Sequence, residues 1–195
     1  MRRTIPVVLL IVALLSAYAA SAVVSLSEAV RAAQSGDGER VLGYVNTDRL
    51  RRSISSQVVA AYLAEISETR RITPLERTLA NSLGTTIADA VVEKVLTPAN
   101  LAVLLKSGRV QTDPETAVAG NITPLADVGR LHWVDILGRL RLVKPVEFAV
   151  RVGSSTDPDR VSAFHMHFEG DGWKLSAIEF PKAALRDLAA RLPRR

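Results

Sequence analysis

Two runs near the C-terminus decide the fold: VEFAVRV (residues 146–152) and FHMHFEGDGWKLSAIEF (residues 164–180). In the first, Val146, Phe148, Val150 and Val152 alternate with Glu147 and Arg151, the two-residue period of a half-buried strand. In the second, Phe164, Met166 and Phe168 alternate with His165, His167 and Glu169. Gly170-Asp171-Gly172 then makes a hairpin turn, and Trp173 to Phe180 returns as the next strand. Phe164, Met166 and Phe168 are expected on the core side, with the histidines opposite. Gly153 to Arg160 turns the chain between the two runs. Pro181 ends the meander, and Lys182 to Leu192 carries Leu185, Leu188 and Leu192 at helical spacing.

Upstream, the patterns are helical. Leu26, Val30 and Ala33 continue a helix to Ser35, which Gly36-Asp37-Gly38 stops; Glu39 to Val45 reads as a short second helix. Asn46 is placed to cap a long helix, with Asp48 in its positive first turn and Leu50, Ile54, Val58, Ala61 and Ile66 along one face. Thr73-Pro74 opens another, striped by Leu75, Leu79, Leu83, Ile87, Val91 and Val95. Thr97-Pro98 repeats the cap-plus-proline start before Leu101, Leu104 and Leu105, as far as Gly108. Residues 109–126 hold turn formers without a period and are expected to be a mobile loop. Leu131 to Leu142 fits either a short helix or a first strand. Helices followed by an antiparallel meander make the class α+β.

The N-terminus sets the address. Behind Arg2 and Arg3 runs IPVVLLIVALLSAYAASAVV (residues 5–24), without an ionisable group except Tyr18. About 20 such residues span the ~30 Å hydrocarbon core of a bilayer. Arginines on the cytoplasmic side would place the rest outside. The segment also fits a cleaved signal, with Ala17-Tyr18-Ala19 or Ala20-Ser21-Ala22 as small-residue sites. Residues 1–26 are therefore a membrane anchor or signal segment, and residues 27–195 one exported α+β domain. The anchored form would be a single-pass inner-membrane protein with its C-terminal domain in the periplasm or outside; the cleaved form would be secreted.

Composition narrows the functions. The chain has 195 residues, 48% hydrophobic and 23% charged, which suits a folded domain. Its net charge of +5 includes Arg2 and Arg3, so the exported part carries about +3, too little and too scattered for a nucleic-acid binder. There is no cysteine, which removes disulfides, thiolate nucleophiles and cysteine-ligated metals. Asn121-Ile122-Thr123 matches a glycosylation triplet, but a proline follows it and the reading is set aside.

Ala32 with Gly36-Asp37, Val45-Asn46, Leu50-Arg51, VEKVLTPANLAVLL (residues 92–105), Phe148, and Trp173-Lys174-Leu175 with Ile178 and Pro181 form an ordered set. In this order, over residues 18 to 181, they resemble a bacterial, N-terminally anchored family classed as a domain of unknown function. Asn46, Asn100 and Ala177 depart from the Asp, Gly and Asp of that pattern. The resemblance implies an envelope location and no known chemistry. The layout is also similar to nuclear-transport-factor-like or cystatin-like cones, in which a curved sheet wraps a helix; fold alone does not fix function.

Two constellations hold candidate chemistry. His165, His167 and Glu169 share one strand face and could meet Glu147 of a neighbouring strand around a metal, but without cysteines the set lacks obvious closing ligands. A polar outer face is the preferred account, with no metal and no cofactor expected. His132 and Asp135, three apart, would share a helical face as an acid–base pair. No nucleophile motif or phosphate-binding loop stands beside them, and no catalytic residue is assigned. The expectation is an envelope-anchored binding or interaction module, attached to the membrane through residues 5–24 and meeting an envelope protein or small ligand. The alternative is a small cavity enzyme of isomerase or hydrolase type using His132 and Asp135.

Overall fold

A computed structural model describes residues 4–69, 73–75, 78, 82, 92–93, 96–109, 122–130, 132–153 and 157–191. Its first element, α1 (Thr4–Ser35), is one unbroken helix of 32 residues, about 48 Å long at the usual rise. Its two halves face different surroundings. Side chains such as Val7, Leu10, Val12 and Leu14 are exposed, whereas Ala22, Leu26, Ala29, Val30 and Ala33 are buried at steps of three and four residues. The first half is apolar all round and the second only along the stripe that meets the domain.

Gly36 ends α1, and Asp37 caps α2 (Gly38–Leu42) by accepting the Arg40 N–H at 3.2 Å. A side chain at Gly38 would put its Cβ 2.6 Å from the Pro98 carbonyl, so close packing of α2 on α4 (Pro98–Ser107) requires glycine there. The short helix stops earlier than the expected Val45 because Tyr44 to Asn46 has another task. Leu175 N–H donates to Tyr44 O at 2.7 Å and Asn46 N–H donates to Leu175 O at 2.9 Å, joining this segment to the free edge of the sheet. The Tyr44 hydroxyl donates to Glu28 on α1 (3.1 Å), and burial together with that carboxylate pushes its pKa up.

α3 (Thr47–Thr69) follows, capped as expected: Asn46 Oδ1 accepts the Arg49 N–H at 2.9 Å. Leu50, Ile54 and Val59 are buried; Val58 is half-buried and packs against the same core. Pro74, Leu75, Thr78, Ser82, Val92 and Glu93 are helical and Val92 is buried, but Leu75 at the head of the expected stripe is 69% exposed. Leu79, Leu83, Ile87, Val91 and Val95 lie outside the described residues. α4 starts on Thr97, whose hydroxyl accepts the Asn100 N–H, and buries Leu101, Leu104 and Leu105. Gly108 closes it at φ +73°, where a Cβ would sit 1.9 Å from Ile122 O. Residues 110–121 of the expected loop lie outside the described residues. Its end does not: Ile122, Leu125 and Ala126 are buried, and a 3-10 turn runs over Leu125–Arg130 against α1.

The ambiguous stretch is both things in sequence, α5 (Trp133–Arg139) and then β1 (Leu140–Lys144). β2 (Glu147–Val152), β3 (Ser162–Phe168) and β4 (Trp173–Glu179) complete an antiparallel sheet in the order β1-β2-β3-β4. Val146, expected in the strand, stands in the β1–β2 turn and is exposed. Phe148, Val150 and Val152 oppose Met166, Phe164 and Ser162. A bulge at Ser176 lets Trp173, Leu175 and Ile178 all face the core despite the broken alternation. This face meets α1, α4 and the 3-10 turn in one apolar cluster. α6 (Lys182–Arg191) packs on α3.

α3 also protects the β4 edge. Gln57 Nε2 donates to Ile178 O at 2.7 Å, and Phe180 N–H donates to Gln57 Oε1 at 3.0 Å, so one side-chain amide stands in for the peptide of a missing strand. At the α3 cap, Asn46 Nδ2 donates to Glu169, which also meets Arg49 at 3.6 Å. An aspartate at position 46 would set a second carboxylate against Glu169 in place of the amide donor.

Two stability measurements follow. Asn46→Asp keeps a good cap but should cost about 1–2 kcal/mol in a urea melt, most of it recovered in the Glu169→Gln background. A neutral Asn46→Asp would remove the amide's role. Phe164→Ala should cost about 3–5 kcal/mol and His165→Ala less than about 1 kcal/mol; equal losses would invert the facing of the sheet.

Candidate functional site

The sheet face turned away from α1 carries the chain's linked titratable groups. Its central row is Arg141, Ala149, His165 and Ala177, one from each strand. The alanines on either side leave room for the imidazole to lie along the sheet, and the His165 side chain is only 12% exposed. Its Nδ1 is 3.0 Å from Glu147 Oε1 on β2, and its Nε2 is 2.8 Å from Glu179 Oε1 on β4. Carboxylate oxygens only accept, so both contacts are hydrogen bonds only when the ring carries both protons. Glu147 also meets Lys144 at 3.7 Å.

This arrangement ties three strands through polar contacts of one imidazole, of the kind that contribute about 0–1 kcal/mol each near a surface. Its geometry does not build a metal centre, because the carboxylates approach opposite nitrogens of one ring. Among the described residues no group of three or more His, Asp or Glu side chains is placed to hold a metal ion. Of the sequence stripe, His165 has joined Glu147 as the pairing of neighbouring strands allowed. Glu169 has turned to Asn46 and Arg49. The Nδ1 of His167 is buried without a hydrogen-bond partner. Glu179 was missed by sequence reasoning: the Ser176 bulge shifts the phase of β4, and strict alternation from Trp173 would send it to the core side.

His132 and Asp135 open α5. The His132 carbonyl accepts the N–H groups of Asp135 (2.9 Å) and Ile136 (3.1 Å), a capping role of the backbone. Both side chains stand in solvent. An acid–base pair draws its strength from a desolvated, oriented setting, which these two positions do not have.

A second cluster gathers at the end of the sheet nearest the exposed half of α1. Tyr18 packs against Phe168 (ring centroids 5.6 Å apart) and Trp173 (5.2 Å), and Trp173 packs against Phe148 (5.0 Å). Tyr18 Oη donates to Pro145 O at 2.8 Å, and the Trp173 indole N–H donates to Ser21 Oγ at 3.0 Å. These bonds fix the β1–β2 turn and the start of β4 to one level of α1.

The residues that carried the resemblance are core positions, caps and close approaches: Ala32, Leu50, Leu175 and Ile178 are fully buried, and Asp37 caps α2. No curated protein and no solved structure matches the chain. Residues 11–104, a little under half of the chain and ending within α4, match the model of a family described as protein of unknown function (DUF2939).

Proposed function

We propose that this chain is a single-pass membrane protein whose α+β domain stands on the outer side and serves as an interaction module. The observation that carries the reading is the double use of α1. The helix that is long and apolar enough to cross a membrane also buries Leu26, Ala29, Val30 and Ala33 in the core and holds the sheet through Tyr18 and Ser21. Cleavage after Ala19 would remove Tyr18, and cleavage after Ala22 would also remove Ser21 and Ala22. Either would uncover Phe168 and Trp173. Retention of the helix is therefore favoured over a cleaved signal, and Arg2 and Arg3 favour an outward domain.

A domain built on its own anchor holds a fixed attitude to the bilayer. The face it then offers outward is the polar side of the sheet, with Arg151, His165, Lys174 and Glu179. Mixed charges on a rigid, shallow surface suit a protein or small polar ligand better than chemistry, which needs an enclosed site.

A reporter fused after Arg195 should be active only outside the cytoplasm and should stay with membranes after alkaline washing. Cytoplasmic activity would overturn the topology, and release into the soluble fraction would overturn the anchor. A photo-crosslinking residue at Arg151, Lys174 or Glu179 should give a discrete adduct in intact cells, whereas one at buried Phe164 should not. Absence of adducts from all three surface sites would overturn the module.

A further inference from the structure

Length sets a conflict along α1. Below Tyr18, where the domain begins, the helix offers roughly 14 described residues, or about 21 Å. The hydrocarbon core is ~30 Å thick. Arg2 and Arg3 stand directly before the apolar run, so the missing length is drawn from Tyr18 to Val24, the stretch to which the end of the sheet is bonded. Val23 and Val24 on its open side are exposed, as lipid contact would require. The sheet end therefore has to enter the boundary layer of the bilayer if the helix crosses it.

The surface there fits such a position. Leu142 lies on the α1-facing side of β1, directly opposite Phe148, yet is 71% exposed. Val143 (43%) and Val146 (40%) flank the β1–β2 turn that Tyr18 holds through Pro145. In water these three would be an unexplained apolar patch on an open strand edge. Arg141 and Lys144 frame the patch, and long basic side chains of this kind reach headgroup phosphates while their stems lie in the apolar zone. Tyr18, half-buried at this level of α1, is the residue type that collects at the boundary of water and lipid. The neighbouring β3–β4 turn, at the same end of the sheet, carries Asp171, whose charge is paired with Lys174 at 3.5 Å.

We infer that the β1–β2 hairpin, through Leu142, Val143 and Val146 with Arg141 and Lys144, is seated in the outer leaflet of the bilayer that α1 crosses. The occupant of this face is lipid at the boundary of headgroup and acyl chain. The inference rests on the anchored reading of α1. It makes the hairpin a second membrane contact, so the domain is held against rotation about a single helix, with the outer sheet face kept free.

The chain has no cysteine, so one introduced thiol is labelled uniquely. Full-length protein in phosphatidylglycerol-containing nanodiscs would carry an environment-sensitive fluorophore at Val12→Cys, Leu142→Cys, Val146→Cys or Asp159→Cys in turn, with nitroxide-bearing lipids as quenchers. All four positions are at least partly exposed, and an unchanged melting curve shows each variant folded. Labels at 142 and 146 should be quenched several-fold more strongly by shallow nitroxides than the label at 159, with 12 quenched by deep nitroxides. Quenching at 12 but not at 142 and 146 would overturn the hairpin seat and leave the anchor standing. Loss of quenching at all of them would overturn both.

Discussion

One helix changes character halfway along its length, and the described part of the domain is arranged around that change. The first half of α1 is apolar on every side, which only lipid or a deep core tolerates. Its second half keeps apolar side chains at Ala22, Leu26, Ala29, Val30 and Ala33, with Glu28, Arg31 and Gln34 elsewhere. The transition is made at Tyr18 and Ser21, where a phenol and a hydroxyl take up a carbonyl and an indole N–H of the sheet. Because the bonded groups belong to the helix, the sheet cannot pivot on α1 without exposing Trp173.

The sheet's two edges are treated differently. β4 is closed by backbone bonds from Tyr44 and Asn46 around Leu175 and then by the Gln57 amide of α3 at Ile178 and Phe180. Among the described residues no strand pairs with the outer edge of β1, and four of its five residues are exposed. An open apolar edge in water invites association; an edge lying against lipid meets a partner that cannot extend the ladder. The asymmetry thus points in the same direction as the length of the helix. Meanwhile the polar face holds its shape through the His165 pairs and remains outside the apolar core.

Much of this was legible in the sequence where local chemistry decides the outcome. The alternation of Phe164, Met166 and Phe168 located the core face, Thr97-Pro98 and Asn46 located helix starts, and Gly108 located a stop. What could not be read depends on contacts between distant segments. The Gln57 amide gains its meaning only beside Ile178 and Phe180. The Ser176 bulge reverses the side on which Glu179 emerges, so the carboxylate pair around His165 was half foreseen through Glu147 alone. Leu142 ends the stretch that fitted either a helix or a strand, and on the outermost strand it is exposed although it stands opposite Phe148. Val146, likewise, continues an alternating pattern but is taken by the turn.

The central claim is that α1 remains intact because the domain is built on it. Intact-mass spectrometry of the protein extracted from its native membranes addresses this directly. The account predicts a mature chain that retains the residues before Tyr18. A chain beginning at Ala20 or Val23 would contradict it, since the domain would then stand without the side chains that seat Trp173.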